Sequence, residues 1–374
     1  MRLAEAVKER ADIVALIGRA VTLRRKGRDF WGCCPFHAEK TPSFKVDAGR
    51  GFYKCFGCGA AGDAIAFVVA SEGLSFRAAV ETLAAACGLD AGPGKDDAVS
   101  RETADERAAR AAAWKAERAV REAALEADKA RRLARRQAGA REMWLGARHD
   151  AAALAPYLTS PKRRIDLAAI EAAWGSDVAP GGVPLSLRFH PACPDRENDR
   201  DDPAMIGVVT DAAGAFLGVH RTFLAADAAG ALCAKRAFGA KMMLGQAQGG
   251  MVRLTPPGPR FYLTEGIETG LSIMTALARR GDVEGVAVGA GLSLGNIAGR
   301  GFGPVPDMAA PAVQLPGGVA ELVICEDADN KDAAMAADRY ACAARRFGHR
   351  TGIRVKRIRP PKGMDFNDLL VRAA

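Results

Sequence analysis

Long apolar runs are missing from this sequence of 374 residues. No stretch approaches the roughly 20 consecutive apolar residues that a membrane-spanning helix needs. Charged residues interrupt the N-terminal segment too often for a secretory signal peptide. The pattern Gly-x4-Gly-Lys-Ser/Thr is also missing, which excludes a P-loop of that type and a fused motor domain built on it. We therefore expect a cytoplasmic location.

Positive charge and cysteine are both plentiful. The sequence has 53 Lys and Arg against 44 Asp and Glu, a formal net charge of +9. This excess favours a polyanionic partner, although basic proteins without such a partner are also common. Four of the nine cysteines lie between Cys33 and Cys58, and clustered cysteines in a cytoplasmic chain indicate metal binding rather than disulfides.

The order of motifs predicts an α/β multidomain protein. Apolar residues at helical spacing predict a helix over residues 10–21, and two more helices are predicted over 63–70 and 76–87. Residues 101–140 are rich in Ala and Arg, a composition that predicts a helix. This helix is either a solvated connector or a helix whose basic face contacts phosphates. Four segments are expected: a zinc ribbon (1–90), a helical linker (91–145), a basic α+β subdomain (146–258) and an α/β domain with a mainly parallel sheet (259–374).

A zinc-binding pattern lies in the first segment. Cys34 and His37 form one knuckle, and Cys55 and Cys58 form a second. Four sulfur and nitrogen ligands in two closely spaced pairs suit tetrahedral Zn²⁺, and a site without an open position is structural. Gly57 is expected to let the backbone fold tightly at the second knuckle. The adjacent Cys33 is expected to be a bystander.

The stretch from Asp12 through CCPFHAEKTPSFKV to FYKCFGCGAAGDAIAFV resembles the zinc-binding domain of bacterial replicative primases. The resemblance implies that the ribbon contacts single-stranded template and helps to choose the initiation site. Aromatic rings that stack bases and cations that follow the backbone fit this role, although the rings also fit the core of a small ribbon. The candidate nucleic-acid-binding residues are Arg24, Arg25, Lys26, Arg28, Lys45 and Lys54.

Acidic residues follow two predicted strands of the last segment. Glu265 and Gly266 end the strand FYLTE, and Asp327 and Asp329 end the strand ELVICED. Sites in open α/β sheets form beyond the carboxyl ends of the strands, and converging carboxylates favour Mg²⁺ or Mn²⁺. Gly266 is expected to permit a sharp turn into the next helix. This arrangement resembles the Toprim fold shared by primases, topoisomerases and some nucleases, which implies a catalytic role for these three carboxylates.

The sequence differs from replicative primases in two acidic motifs of the last segment. The late acidic motif is matched by Asp365 and Asp368, with Asn367 in place of an acidic residue, so both aspartates are only candidate magnesium ligands. Thr269 stands where replicative primases have a carboxylate. Glu268 is then either a substitute ligand or a solvent-facing residue at a helix start. The departures make the chain more similar to primases of phages, plasmids and integrated elements.

Basic residues of the middle segment resemble, more loosely, the basic subdomain of primase catalytic cores. They are Arg221, Lys235, Arg236 and Lys241. The resemblance implies a groove for template and nucleotide, in which guanidinium groups suit phosphate oxygens. The alternative for each residue is a solvated surface charge.

The order of zinc ribbon, basic region and Toprim domain is that of primases. We expect synthesis of short RNA primers from ribonucleoside triphosphates on single-stranded DNA, with structural Zn²⁺ and catalytic Mg²⁺ or Mn²⁺. The alternatives are a Toprim-type nuclease and a non-catalytic single-stranded-DNA-binding protein. A topoisomerase is disfavoured because Tyr157, Tyr262 and Tyr340 are scattered and no gate domain is evident. A helicase-binding module is not expected after the Toprim motifs, so a replicative helicase would be a separate partner.

Overall fold

The computed structural model describes residues 2–37, 39, 41–89, 104–328, 330, 332–349 and 352–372. The chain divides into two compact units, Met1–Ala124 and Leu125–Ala374. Among the described helices, none combines the length and the apolar character needed to cross a bilayer. The predicted linker residues 91–97 lie outside the described residues.

Two short helices begin the first unit, α1 (Arg2–Arg10) and α2 (Ile13–Gly18). The prediction of one helix over residues 10–21 is therefore wrong. Asp12 has an extended backbone, and its carboxylate accepts hydrogen bonds from the N–H groups of Val14 and Ala15. An N-cap of this kind ends one helix and starts the next, and helical spacing alone does not reveal it.

The ribbon is a five-stranded antiparallel sheet followed by two helices. Its strands pair in chain order: β1 (Arg24–Lys26), β2 (Asp29–Gly32), β3 (Phe44–Asp47), β4 (Phe52–Cys55) and β5 (Ala61–Gly62). The helices α3 (Ala64–Glu72) and α4 (Phe76–Ala86) match the two predicted ones and start at the N-caps Asp63 and Ser75. The rings of Phe36, Phe44, Tyr53 and Phe67 pack together in the core.

A long helix, α5 (Ala104–Gly146), contains residues of both units. Between residues 119 and 139, its side chains are mostly exposed, as expected for a solvated helix. It ends at Gly146, close to the end of the predicted helical linker at residue 145. Ala140, Met143 and Trp144 pack against a sheet of the second unit, and this burial stabilises the last turns of the helix.

An antiparallel sheet forms the first part of the second unit. The helices α6 (Ala151–Leu158) and α7 (Leu167–Trp174) precede β6 (Leu187–Asp195), β7 (Arg200–Thr210), β8 (Phe216–Ala226), β9 (Leu232–Lys235) and β10 (Lys241–Gly245). The order is β10-β8-β7-β6, and β9 also pairs with β8. The pairing of β10 with β8 runs from Lys241 opposite Thr222 to Gly245 opposite Gly218. This part of the chain therefore combines helices and strands, as predicted for an α+β segment.

The last part of the chain contains the predicted, mainly parallel sheet. Its elements are β11 (Val252–Arg253), β12 (Arg260–Thr264), α8 (Ile267–Arg280), β13 (Val286–Ala290), α9 (Leu294–Ala298), β14 (Gly301–Phe302), β15 (Val305–Pro306), β16 (Glu321–Cys325), α10 (Ala333–Gly348), β17 (Arg354–Ile358) and α11 (Phe366–Arg372). The order is β11-β13-β12-β16-β17, and only β11 is antiparallel. Because β12 and β16 are parallel neighbours, the residues after them meet at one edge of the sheet.

Candidate functional site

The two predicted zinc knuckles converge. One ligand atom from each of Cys34, His37, Cys55 and Cys58 lies within 4.8 Å of the others. Cys34 Sγ is 3.8 Å from Cys58 Sγ, and Cys55 Sγ is 3.7 Å from His37 Nδ1. Sulfur atoms bound to one tetrahedral Zn²⁺ at about 2.3 Å are about 3.8 Å apart, so the donor set and its spacing fit zinc. Cys33 is exposed and stands apart from this group.

Glu39, which the motif analysis did not select, braces the zinc site. Its carboxylate accepts hydrogen bonds from the backbone N–H of Cys34 at 2.7 Å and from Ser43 Oγ at 2.5 Å. It also lies 3.1 Å from His37 Nε2. A carboxylate behind a histidine orients the ring and sets which nitrogen faces the metal. Its position two residues after a ligand histidine is the signal that could have identified it.

Hydrogen bonds also favour the thiolate of Cys55. Burial acts to raise the pKa of this thiol, but hydrogen bonds from Ser43 Oγ and from the backbone N–H groups of Cys58 and Gly57 outweigh it and lower the pKa. A Cβ atom at Gly57 would lie 2.5 Å from His37 Nε2 and 2.8 Å from Ser43 Oγ. The tight approach expected at Gly57 is therefore made against the histidine and Ser43.

One face of the ribbon sheet combines cations with exposed rings. Cross-strand pairing joins Arg24 to Trp31, Trp31 to Lys45 and Lys45 to Lys54, so these side chains form one row on one face. Phe56 is 60% exposed and stacks on Trp31, with ring centroids 5.8 Å apart. The opposite face carries buried rings, so only some of the ribbon's aromatics serve as core.

Further cations stand near this row. Lys26 Nζ lies 5.7 Å from the Trp31 ring, and Lys54 Nζ lies 5.5 Å from the Phe56 ring. Arg24, Arg25, Lys26 and Arg28 are all exposed, whereas Lys45 is half-buried and pairs with Asp29 at 2.9 Å. The face therefore offers both stacking surfaces and positive charge.

Glu265 and Asp327 follow the neighbouring strands β12 and β16, and Tyr340 of α10 is close to both. Asp327 donates its backbone N–H to Tyr340 Oη at 2.9 Å. Burial raises the pKa of the Tyr340 hydroxyl, and the charges of Asp327 and Glu265 raise it further. Asp329 lies outside the described residues. Among the residues that are described, the zinc quartet is the one group of three or more potential metal ligands that converges.

The late acidic motif begins beside this site. Ala328 exchanges backbone hydrogen bonds with Gly363 and Met364, which brings the preceding Asp327 near the start of the motif. Asp365 and Asp368 each accept the other's backbone N–H, at 2.8 and 2.9 Å. This reciprocal pair caps α11 in the manner of a capping box. The capping contacts give both aspartates a structural role, and their magnesium-binding role stays a prediction.

Glu268 does not face solvent, so that alternative is wrong. The side chain is buried, and Oε1 lies 2.7 Å from Lys235 Nζ and accepts a hydrogen bond from Tyr157 Oη at 2.8 Å. Oε2 accepts a hydrogen bond from Lys241 Nζ at 3.0 Å. Burial opposes ionisation, but the charges of Lys241 and Lys235 hold the pKa of Glu268 well below its usual value.

Gly266 has an ordinary extended backbone (φ −101°). The turn from β12 into α8 therefore does not require the conformational freedom of glycine at this position.

The four basic candidates of the middle segment divide between the two faces of their sheet. Lys241 pairs with Thr222 and Lys235 with Leu224, so both lysines share the face that meets Glu268. Arg221 and Arg236 instead lie over the Phe223 ring. The structure thus brings the four residues together as two pairs on opposite faces of the sheet, and only the lysine pair meets Glu268.

Arg236 is held by internal partners. Its guanidinium pairs with Asp195 at 2.6 Å and Asp202 at 2.7 Å and donates to the carbonyls of Phe238 and Gly239. Arg221 is buried and donates to the Pro194 carbonyl. The two ion pairs account for the charge of Arg236 without a ligand, whereas Arg221 Nε is buried without a hydrogen-bond partner. The role of both residues in nucleotide binding stays a prediction.

Comparisons with protein families identify the ribbon. Residues 1–98 match the CHC2 zinc finger family, and residues 134–254 match a domain of unknown function, DUF7146. The DNA primase of Geobacillus stearothermophilus is 49% identical over 86 residues, which cover 23% of this chain and 14% of that protein. The DNA primase of Haemophilus influenzae is 52% identical over 81 residues, 22% of this chain and 14% of that protein. The N-terminal part is thus a primase-type CHC2 zinc-ribbon domain, which supports structural zinc.

Two solved structures are also similar. The Aquifex aeolicus primase, solved as its zinc-binding and RNA polymerase domains, is 17% identical, with 99% of this chain and 85% of that chain covered and a TM-score of 0.27. A DNA primase domain from Pseudomonas aeruginosa is 15% identical, with 49% and 52% covered and a TM-score of 0.28. Superpositions this loose say nothing about residues 99–374.

Proposed function

We propose that this chain is a DNA primase that synthesises short RNA primers on single-stranded DNA. The observation that carries the proposal is the presence, on one chain, of a primase-type zinc ribbon and of Glu265 and Asp327 after adjacent parallel strands. Zinc ribbons and acidic strand ends each occur in many proteins. Their combination supports a primase with a Toprim catalytic domain over residues 259–374.

The carboxylate site supplies the chemistry in this proposal. Glu265, Asp327 and Asp329 offer the hard oxygen donors that suit Mg²⁺ or Mn²⁺, which would stabilise negative charge on the reacting phosphates. The 3′-hydroxyl of one ribonucleotide attacks the α-phosphate of the next, and pyrophosphate leaves. Lys241 and Lys235 stand beside Glu265 and Glu268, where their ammonium groups would bind the triphosphate oxygens.

The ribbon would bind the template. Phe56, which is exposed, and Trp31, which is partly exposed, offer stacking surfaces, and the row of cations around them would follow a phosphate backbone. Binding of this kind is tolerant of sequence and sensitive to salt.

A priming assay on random-sequence single-stranded DNA tests the proposal. The full-length protein, four ribonucleoside triphosphates and Mg²⁺ should yield short alkali-labile products that depend on template. Cleavage of the DNA without RNA synthesis would instead identify a Toprim-type nuclease. Template binding with neither reaction would identify a non-catalytic DNA-binding protein.

A further inference from the structure

We propose that Glu268 is a positioning residue that holds Lys235 and Lys241 in place for the phosphates of the incoming nucleotide. The inference rests on the proposed function and extends it to a residue that contacts no reacting atom. It assigns a role to a buried carboxylate three residues after Glu265 that is explained neither by the core nor by metal binding.

The contacts of Glu268 come from three separate elements. Tyr157 belongs to α6, Lys235 to β9 and Lys241 to β10, and all three reach one carboxylate on the first turn of α8. With two ammonium groups and a hydroxyl on its oxygens, this carboxylate has little capacity left for a metal ion. It therefore acts as a fixed acceptor that joins the antiparallel sheet to the parallel one.

The lysines have one side toward the protein and one toward solvent. The Glu268 side chain is 8% exposed, whereas those of Lys235 and Lys241 are 31% and 41% exposed. Glu268 thus lies behind the two ammonium groups and leaves their outer sides accessible. A Cβ atom on Gly266 would lie 3.9 Å from Lys241 Nζ, so the ammonium group of Lys241 lies near the backbone next to Glu265.

The charges around the pair explain why a carboxylate is needed. Burial lowers the pKa of Lys235, and the positive charges of Lys241 and Arg163 act in the same direction. His220 faces the same cluster, but burial and Lys241 lower its pKa to about 4, so it is neutral at pH 7. Glu268 is the counter-charge that lets two adjacent ammonium groups remain protonated. The charge of Glu265 adds to its effect on Lys241.

Removing the charge alone should misplace the lysines. In Glu268→Gln, an amide replaces the carboxylate, so the ammonium groups repel each other without a shared anion. We expect the KM for ribonucleoside triphosphate to rise about 10- to 100-fold, the value of one charge-assisted hydrogen bond, with a smaller change in kcat. Glu268→Asp keeps the charge and should recover part of the loss.

Direct binding of ATP to the full-length protein separates this inference from the proposed function. Wild type should bind ATP, Glu268→Gln should bind it about 10- to 100-fold more weakly, and Glu284→Gln, an exposed carboxylate elsewhere in the same domain, should bind as wild type does. Acetic anhydride labelling, read by mass spectrometry, should show Lys235 more reactive in Glu268→Gln than in wild type. Thermal unfolding identifies variants that have lost the fold.

A double-mutant cycle decides whether Glu268 acts through Lys241. If it does, Glu268→Gln should lower ATP affinity by less in a Lys241→Gln background than in the wild type, because only the contact with Lys235 is then left to lose. Fully additive losses, or wild-type ATP affinity in a folded Glu268→Gln variant, would overturn the inference. If Glu268→Gln does not fold, the same cycle with Glu268→Asp decides. If the wild-type protein binds no ATP, the proposed function itself is wrong, and the inference that rests on it is wrong with it.

Discussion

Glu39 Oε2 lies 3.1 Å from His37 Nε2, on the side of the ring opposite the nitrogen that faces Cys55 Sγ. The carboxylate therefore orients the ring from outside the ligand set. Glu39→Gln should weaken zinc affinity about 10- to 100-fold, the usual effect of losing such a partner. Competition with a chelator measures this change, and Glu9→Gln, exposed in the same unit, is the control. Unchanged affinity in Glu39→Gln would show that the ring needs no such brace.

One zinc per chain is expected, because the ligand set is closed and its spacing fits one ion. Cys55→Ser should lose the metal and unfold residues 30–62, since a structural zinc contributes directly to folding. Residues 259–374 should be unaffected. Elemental analysis and hydrogen exchange measure these outcomes, and Cys33→Ser should retain full zinc. A wild-type protein purified without chelators and free of zinc would contradict the prediction.

Trp31→Ala should weaken binding of single-stranded DNA by about 1–3 kcal/mol, the value of one stacked base. Lys54→Gln should act differently and reduce the slope of log affinity against log salt by about 0.7, the effect of one lost phosphate contact. Fluorescence anisotropy across a salt series separates the two effects. Arg50→Gln, exposed at the turn between β3 and β4, should leave affinity unchanged. If Trp31→Ala binds as wild type does, the exposed rings are not the template surface.

Asp327→Ala and Glu265→Gln should abolish primer synthesis and leave template affinity nearly unchanged. In the proposed function these carboxylates act at the reacting phosphates, whereas the cations supply most of the affinity for the template. Primer yield and DNA binding are measured on the same preparations, with Glu284→Gln as the matched control. Full activity in either variant would move the catalytic centre elsewhere. If the variants weaken DNA binding and show no separate effect on primer synthesis, the protein is better described as a non-catalytic DNA-binding protein.

Arg236→Met should destabilise the second unit by about 3–5 kcal/mol at pH 7, because it leaves Asp195 buried without its counter-charge and Asp202 with Arg200 as its remaining ion-pair partner. Burial acts to raise the pKa of Asp195, but hydrogen bonds from Asn198 and Arg236 outweigh it and lower the pKa to about 2. The stabilisation is therefore fully present above about pH 4 and is lost as the pH falls toward 2. Denaturant unfolding of wild type and variant should show their difference shrinking over this range. A difference independent of pH would contradict the ion-pair explanation.

Local chemistry made much of this protein predictable from its sequence. The zinc ligands lie in two short motifs, and the alternation of strands and helices identifies the parallel sheet. Contacts distant in sequence could not be predicted in this way. Tyr157 is 111 positions from Glu268, and Arg236 is 41 positions from Asp195. Which face Lys235 and Arg236 occupy depends on strand pairing, which a list of basic residues does not contain.

The pairing of β10 with β8 ends at two glycines that nearly touch. A Cβ atom on Gly245 would lie 2.7 Å from the Gly218 Cα, and Gly245 has φ +89°, a region that disfavours other residues. Because neighbouring residues of a strand face opposite sides, a slip of one residue would turn Lys241 away from Glu268 and Met242 toward it. Close packing of the two glycines therefore fixes the register of β10 against β8. This register determines the position of the Lys241 ammonium group, four residues before Gly245. A side chain introduced at Gly245 would alter nucleotide binding without any change of charge.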